Sequence, residues 1–344
     1  MSLARAIETG DLAELPSRRD EDWRWTDLRG LIREMPAPSV VGVAAVGDGP
    51  FDRLADETVR VVNGRTTASL ATRGAGRHVL ALRVIGRGDG AHFARPTLNV
   101  GKGGHLVLLE SYEGDEGGYL SEIDLTLNIA PGARLDRVVL TCQGVEAVSV
   151  AKAQVNLAAG ATFTQTVVAS GARRQRLETR VSHAGGGAMA RLDGVYLLAG
   201  RVHADITTVV THDGEGGTTD QLTKGVVRDQ ARGVFQGRIV VSRGADRTDA
   251  RMGHHALVLS DRAEVDAKPE LEIYADDVVC AHGNTVGALD ADALFYAEQR
   301  GIPEGDARAM LTEAFVGEVV DRIEHEGASE VVRAWVAERL RVAP

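Results

Sequence analysis

One turn recurs at nearly fixed spacing, and it limits what this chain can fold into. Asn128-Ile-Ala-Pro-Gly-Ala-Arg-Leu and Asn156-Leu-Ala-Ala-Gly-Ala-Thr-Phe lie 28 residues apart, and a looser copy, Asn99-Val-Gly-Lys-Gly-Gly-His-Leu, begins 29 residues earlier. Each gives an Asn, an apolar residue and a Gly-containing turn that leads into a new strand. From about Val59 to Ile273 the chain continues in this manner, as short strand-like runs ended by Gly, Asn or Asp. A turn repeated at such spacing marks a coiled, solenoid-like sheet, in which each coil buries its apolar face only by stacking on the next. There is no strict hexapeptide or nonapeptide code, and a β-sandwich is the competing reading. Composition favours the coil. The 40 glycines and the 4% aromatic content suit tight turns and small residues stacked in layers.

The period changes at both ends. Residues 1 to about 35 read as helical and mixed, anchored by Leu12, Leu15, Leu28, Leu31 and Ile32. Two of the three tryptophans lie there, in Trp23-Arg-Trp25-Thr, and the simplest reading is a helix whose aromatic edge packs on the neighbouring body; a partner-binding surface is the other. Met35 to Pro50 reads as a linker or irregular crossing. After about Ala288 the spacing is helical to the end, with Asp290 as an N-cap and Gly301 as a stop. Ala307, Leu311, Ala314, Phe315, Val319, Val320 and Ile323 form one expected apolar stripe, and a last helix follows the interruption at Gly327. The expected units are 1–50, helical with a linker; 51–288, the strands; and 289–344, helical.

Charge and cysteine usage exclude several classes. A net charge of −10 argues against a nucleic-acid or anionic-membrane surface, since both need clustered Lys and Arg. Cys142 and Cys280 alone make no disulfide framework. No stretch approaches the roughly 18 apolar residues of a membrane span, and the opening residues lack the apolar run of a secretory leader. A soluble, cytoplasmic protein is the expectation. No Walker A, G-x-S-x-G, H-E-x-x-H or C-x-x-C sequence is present, so the chain does not read as a nucleotide hydrolase, serine hydrolase or zinc protease.

The chemistry concentrates in Lys268–Ile302, where strand alternation gives way to helical spacing. Cys280-Ala-His282 stands at that joint. In an extended strand, i and i+2 share a face, so thiol and imidazole project side by side. Such a pair suits iron in sulfur clusters or zinc, but two ligands do not complete a tetrahedral site. The competing reading is a Cys acting as a small apolar residue and a His satisfied by backbone. Cys142, in Val138-Val-Leu-Thr-Cys142, reads as an interior structural position. His203, Asp205, His212 and Asp213 read as strand decorations that satisfy turns or face solvent, and His254 and His255, being adjacent, must face opposite ways.

Several motifs together resemble the SufB/SufD family of iron–sulfur cluster assembly proteins. They are Lys224–Ile239, Thr248-Asp-Ala250, Leu257–Glu264 and Lys268–Ile302, while Trp23-Arg-Trp-Thr26 resembles the SufD branch. The resemblance is close over roughly 220–315 and looser through the middle. It implies a mainly β fold: a right-handed parallel β-helix (solenoid) flanked by an N-terminal helical region and a C-terminal helical domain. It also implies a non-catalytic scaffold that pairs with a SufB-like paralogue and binds a SufC-like ATPase, which supplies the ATP hydrolysis; a homodimer of the isolated chain stays open. His282, with Cys280 beside it, matches the histidine proposed as an interface ligand for a transient Fe–S cluster or iron shared with the partner. The ATPase-facing residues it suggests are Leu294, Phe295, Tyr296, Arg300, Leu311 and Phe315. SufB chains carry a sulfur-accepting cysteine where Thr248–Leu257 has none, which favours the SufD branch. Two alternatives are a carbohydrate-active β-helix lyase or hydrolase, disfavoured by the few aromatics, and a purely structural partner of the ATPase.

Overall fold

The computed structural model describes residues 1–40, 46–66, 70 and 74–341; part of the expected linker, 41–45, lies outside them. The chain opens with α1 (Leu3–Thr9), capped by the Ser2 side chain and ended by Gly10 at φ 71°. The strands follow in order. They are β1 (Glu57–Val62), β2 (Arg65–Thr66), β3 (Gly76–Gly86), β4 (Ala91–Ala94), β5 (Thr97–Val100) and β6 (Gly104–Gly114). Next come β7 (Leu120–Ile129), β8 (Arg134–Cys142), β9 (Val148–Leu157), β10 (Thr162–Ala169), β11 (Arg174–His183) and β12 (Met189–Leu198). The last six are β13 (His203–His212), β14 (Thr218–Val227), β15 (Arg232–Val241), β16 (Asp249–Val258), β17 (Glu264–Ile273) and β18 (Val279–Gly287). Three helices close the chain: α2 (Ala291–Gln299), α3 (Glu304–Val320) and α4 (Glu326–Arg341).

From β5 onward, successive strands alternate between two sheets. One runs β18-β16-β14-β12-β10-β8-β6-β3-β1-β2, and the other β17-β15-β13-β11-β9-β7-β4, with β5 also on β7. Every pairing is parallel except β1 with β2. The result is a parallel β-solenoid of about seven turns, mainly β, with helices at both ends of the chain. The repeated asparagines mark the coil step. Asn128 Nδ2 donates to Asn99 Oδ1 at 2.7 Å, and Asn156 Nδ2 to Asn128 Oδ1 at 2.6 Å, so the near-copies stack as a ladder.

Alternation along each strand builds the core. Leu125, Leu127 and Ile129 turn inward and are buried, while Asp124, Thr126 and Asn128 between them are only half-buried. Leu106, Leu135, Phe163 and Ala190 are register partners on neighbouring strands and all fully buried. Each leucine so buried contributes about 1.5–3 kcal/mol. Polar groups interrupt this interior in places, as where Arg137 grips Glu110 through two 2.7 Å bonds and also reaches Gln165.

Both outer faces are covered. On the ten-stranded sheet, Val138, Leu140, Val168 and Leu197 pack against Val316, Val319, Val332 and Trp335 of α3 and α4. The apolar stripe of α3 differs from the expected one: Thr312 and Val316 are buried and Ala314 is exposed. The helix packs on the sheet and on α4 at once, so its buried surface is wider than one stripe. Gly327 lies inside the first turn of α4 and does not interrupt a helix. Cys142 also departs from expectation. It faces out with Leu140 toward the helices, because Val139 and Thr141 take the inward phase, and burial pushes its thiol pKa up.

The N-terminal segment seals the other sheet. Trp23 ends a single 3₁₀ turn (Glu21–Trp23) instead of sitting on a longer helix. Its ring lies 4.4 Å from the guanidinium of Arg176, which is fully buried and held by Glu178 and Asp205. Thr26 Oγ1 donates to Asp205, and His203 Nε2 bonds the carbonyl of Trp25 at 3.0 Å. The carboxylate of Asp22 reaches Arg180 and Arg238, and Glu21 reaches Lys268 on β17. His203 and Asp205 are therefore anchors for this segment.

Candidate functional site at the open end of the solenoid

β17 and β18 are the last strands of their sheets, and each has a ladder partner on one side only. Within β18, Cys280 pairs with Ala250, His282 with Met252 and Asn284 with His254. Those three partners are buried residues of the inward face of β16, so Cys280, His282 and Asn284 share the inward face of the terminal coil. Among the described residues no further coil stacks beyond β18, and His282 and Asn284 are exposed. The same open end exposes Ile273, Tyr274, Val279 and Val286.

Cys280 and His282 differ in environment. Cys280 is half-buried against Phe235, Ile239, Val241, Ala250 and Met252. Burial pushes its thiol pKa up, opposed by the backbone N–H of Ala250 and reinforced by the Asp249 charge. His282 stands free of that packing at the strand edge. Among the described residues, no group of three or more His, Cys, Asp or Glu side chains is placed to hold a metal ion. The pair offers one soft and one borderline donor, which is part of a ligand set.

His254 and His255 do face opposite ways. His254 is completely buried, and His255 bonds Thr285 Oγ1 at 2.7 Å from the outer face. The bond from His254 to Asn284 was not anticipated from sequence; the only signal for it was the inward phase of an even-numbered residue on β16.

The helical residues divide. Phe295 and Tyr296 on α2 are both 61% exposed, and Met310 on α3 is exposed as well. Arg300 stacks on Tyr296 and bonds its hydroxyl at 2.7 Å. Leu294 and Leu311 are half-buried, and Phe315 turns toward the sheet, where Lys224 sits 4.5 Å over its ring. Lys224 in turn pairs with Glu318. A pocket of about 840 Å³ lies between α3, α4 and the strand turns, lined by Arg228, Glu304, Arg308 and Arg339 among others.

The fold is a parallel β-solenoid whose terminal coil carries a thiol and an imidazole side by side on an open strand. Residues 83–315 match the family model described as SUF system FeS cluster assembly, SufBD core domain. The chain belongs to the SufB/SufD family of the SUF iron–sulfur cluster assembly system, on its SufD branch. It is 28% identical to the iron–sulfur cluster assembly protein SufD of Escherichia coli, over 98% of this chain and 91% of that protein. A SufBD family protein of Mycobacterium tuberculosis is 26% identical over 96% of this chain and 91% of its own length. The SufD of Bacillus subtilis is 31% identical across 40% of this chain and 31% of that relative. These relatives are named as assembly proteins, and no helix among the described residues is long and apolar enough to cross a membrane.

Proposed function

We propose that this chain is a non-catalytic scaffold subunit that pairs with a SufB-like paralogue through its open end and supplies His282, with Cys280, to a nascent cluster or iron site shared across that interface. The observation that carries this reading is the placement of two metal-affine side chains on the inward face of an uncapped edge strand, with no group of three or more such side chains gathered there among the described residues. An unpaired strand edge with exposed apolar residues is a template for another chain. In this reading the cluster is cargo and the partner completes its ligation. The three units 1–50, 51–288 and 289–344 then divide the work: sealing, pairing, and docking of a cytoplasmic SufC-like ATPase on α2 and α3. Phe295, Tyr296 and Arg300 form the exposed part of that docking surface, and Leu294, Leu311 and Phe315 support it from beneath.

A second reading keeps Cys280 for packing only, and its contact with the Phe235–Met252 cluster favours it. Anaerobic reconstitution with iron and sulfide separates the two, read by the thiolate-to-iron absorption on this chain alone and in complex with its SufB-like and SufC-like partners. A chromophore only in the complex, weakened by His282→Ala with the complex intact, supports the shared site. Loss with His282→Ala but not with Cys280→Ala assigns the cysteine to packing. A stable chromophore on the isolated chain overturns the shared-site reading.

A further inference from the structure

The ladder to β16 sets which face β18 turns inward, but its other edge has no ladder, so side-chain contacts on that face are what can add to its hold. A chain of buried side chains reaches it from the preceding coils. Tyr196 on β12 places its hydroxyl 2.9 Å from His254 Nε2, and His254 Nδ1 lies 2.7 Å from Asn284 Oδ1. Tyr196 and His254 are both completely buried. The His254 ring lies flat on Phe235, at 4.6 Å and 4°, and faces Tyr196 at 6.0 Å. Gly225 makes room for the tyrosine, since a Cβ there would fall 1.8 Å from its ring.

The geometry fits one set of hydrogen-bond directions. Burial pushes the His254 pKa down to about 4, so the ring is neutral and carries one proton. Nδ1 faces an amide oxygen and must hold that proton; Nε2 then accepts from the Tyr196 O–H. The ring is one donor and one acceptor, each with a single partner. Asn284 is two residues beyond His282 on the same face of the strand.

We propose that His254 is a positioning residue: relayed from Tyr196 and stacked on Phe235, it holds Asn284 inward and thereby steadies the face on which His282 and Cys280 are presented. This rests on the reading of that face as a ligand site, but its structural part is testable without any cluster. It also predicts which replacement succeeds. Gln at 254 keeps a donor and an acceptor and loses the ring; Phe keeps the stacking and loses both bonds.

The experiment uses the full chain, with amide hydrogen exchange across residues 279–287 and the alkylation rate of Cys280 read by peptide mass spectrometry. His254→Phe should speed exchange in β18 by about fivefold, the equivalent of one lost hydrogen bond, and change the Cys280 rate in parallel. His254→Gln should stay within about twofold of the parent. Asn284→Ala, at an exposed position that does not threaten folding, should reproduce the His254→Phe effect. Gln behaving worse than Phe would show that packing alone matters and overturn the proposal, as would an Asn284→Ala chain with unchanged β18 exchange. In the reconstituted complex, Phe should lower chromophore yield with assembly intact and Gln should restore it. If the parent complex forms no chromophore, the shared-site reading fails, while the exchange data still decide the role of His254.

Discussion

Replacing Arg176 by Met should detach the N-terminal segment and cost the protein a large part of its stability. Arg176 is fully buried, with Nε 2.9 Å from Glu178, Nη1 2.6 Å from Asp205 and 2.8 Å from the carbonyl of Asp22. Its plane also receives Trp23. Methionine fills comparable volume but leaves Asp205, itself fully buried, with only Thr26, Thr207 and Gln236 as neutral donors. Removing one member of a buried ion pair typically costs about 3–5 kcal/mol, and Arg180 beside Glu178 places this case toward the lower end. Urea denaturation followed by circular dichroism gives the global value. Tryptophan fluorescence reports the segment, since two of the three tryptophans are Trp23 and Trp25. The expected result is an unfolding free energy lowered by about 3 kcal/mol, with red-shifted emission before the main transition. Adding Asp205→Asn should recover most of the loss, because it removes the uncompensated charge. A single Arg176→Met variant within about 0.5 kcal/mol of the parent would refute the argument that this cation is what the segment docks on.

Further outcomes follow from the same geometry. Burial lowers the pKa of His92, His203 and His254 to about 4, so each stays neutral in the fold and takes up a proton on unfolding below its ordinary value of 6.5. Stability is therefore fully present above pH 6.5 and falls as pH drops toward 4. By pH 5 each contributes about 2 kcal/mol of loss, visible as a lower urea midpoint. Glu178 acts in a more acidic window. Burial raises its pKa, but Arg176 and Arg180 outweigh that and hold it at about 2, so its contribution is lost only as pH falls from 4.5 toward 2. Asn128→Ala removes both ladder bonds at a partly exposed position and should cost about 1 kcal/mol in thermal or urea unfolding. Phe295→Ser with Tyr296→Ala should weaken binding of the SufC-like ATPase in a pull-down or titration while leaving the unfolding midpoint unchanged, because both side chains are solvent-facing.

The coil was legible because its step is written in side chains that touch. Asn99, Asn128 and Asn156 recur in sequence for the same reason that they bond in space. The Asp290 cap and the Gly301 stop, at φ 83°, were readable for similarly local reasons. What sequence did not give depends on neighbours remote along the chain. Trp23 looked helical by context, yet its place is set by Arg176, about 150 residues later. The phase of Cys142 turned on which alternate residues met the helices, and period two alone does not distinguish two covered faces. The stripe on α3 was misplaced because that helix is buried on two sides. At the candidate site, the spacing of Cys280 and His282 gave their shared face directly. The buried support from His254 and Tyr196 could not be seen, since Tyr196 and Asn284 lie 58 residues before and 30 residues after His254.

The most direct test of the central claim is nitrogen hyperfine spectroscopy on the reduced, reconstituted complex in which only this chain carries nitrogen-15 histidine. A histidine nitrogen of this chain should couple to the cluster, and that coupling should disappear in His282→Ala while the complex and its remaining signal persist. A cluster that forms normally and shows no coupling to any histidine of this chain would contradict it.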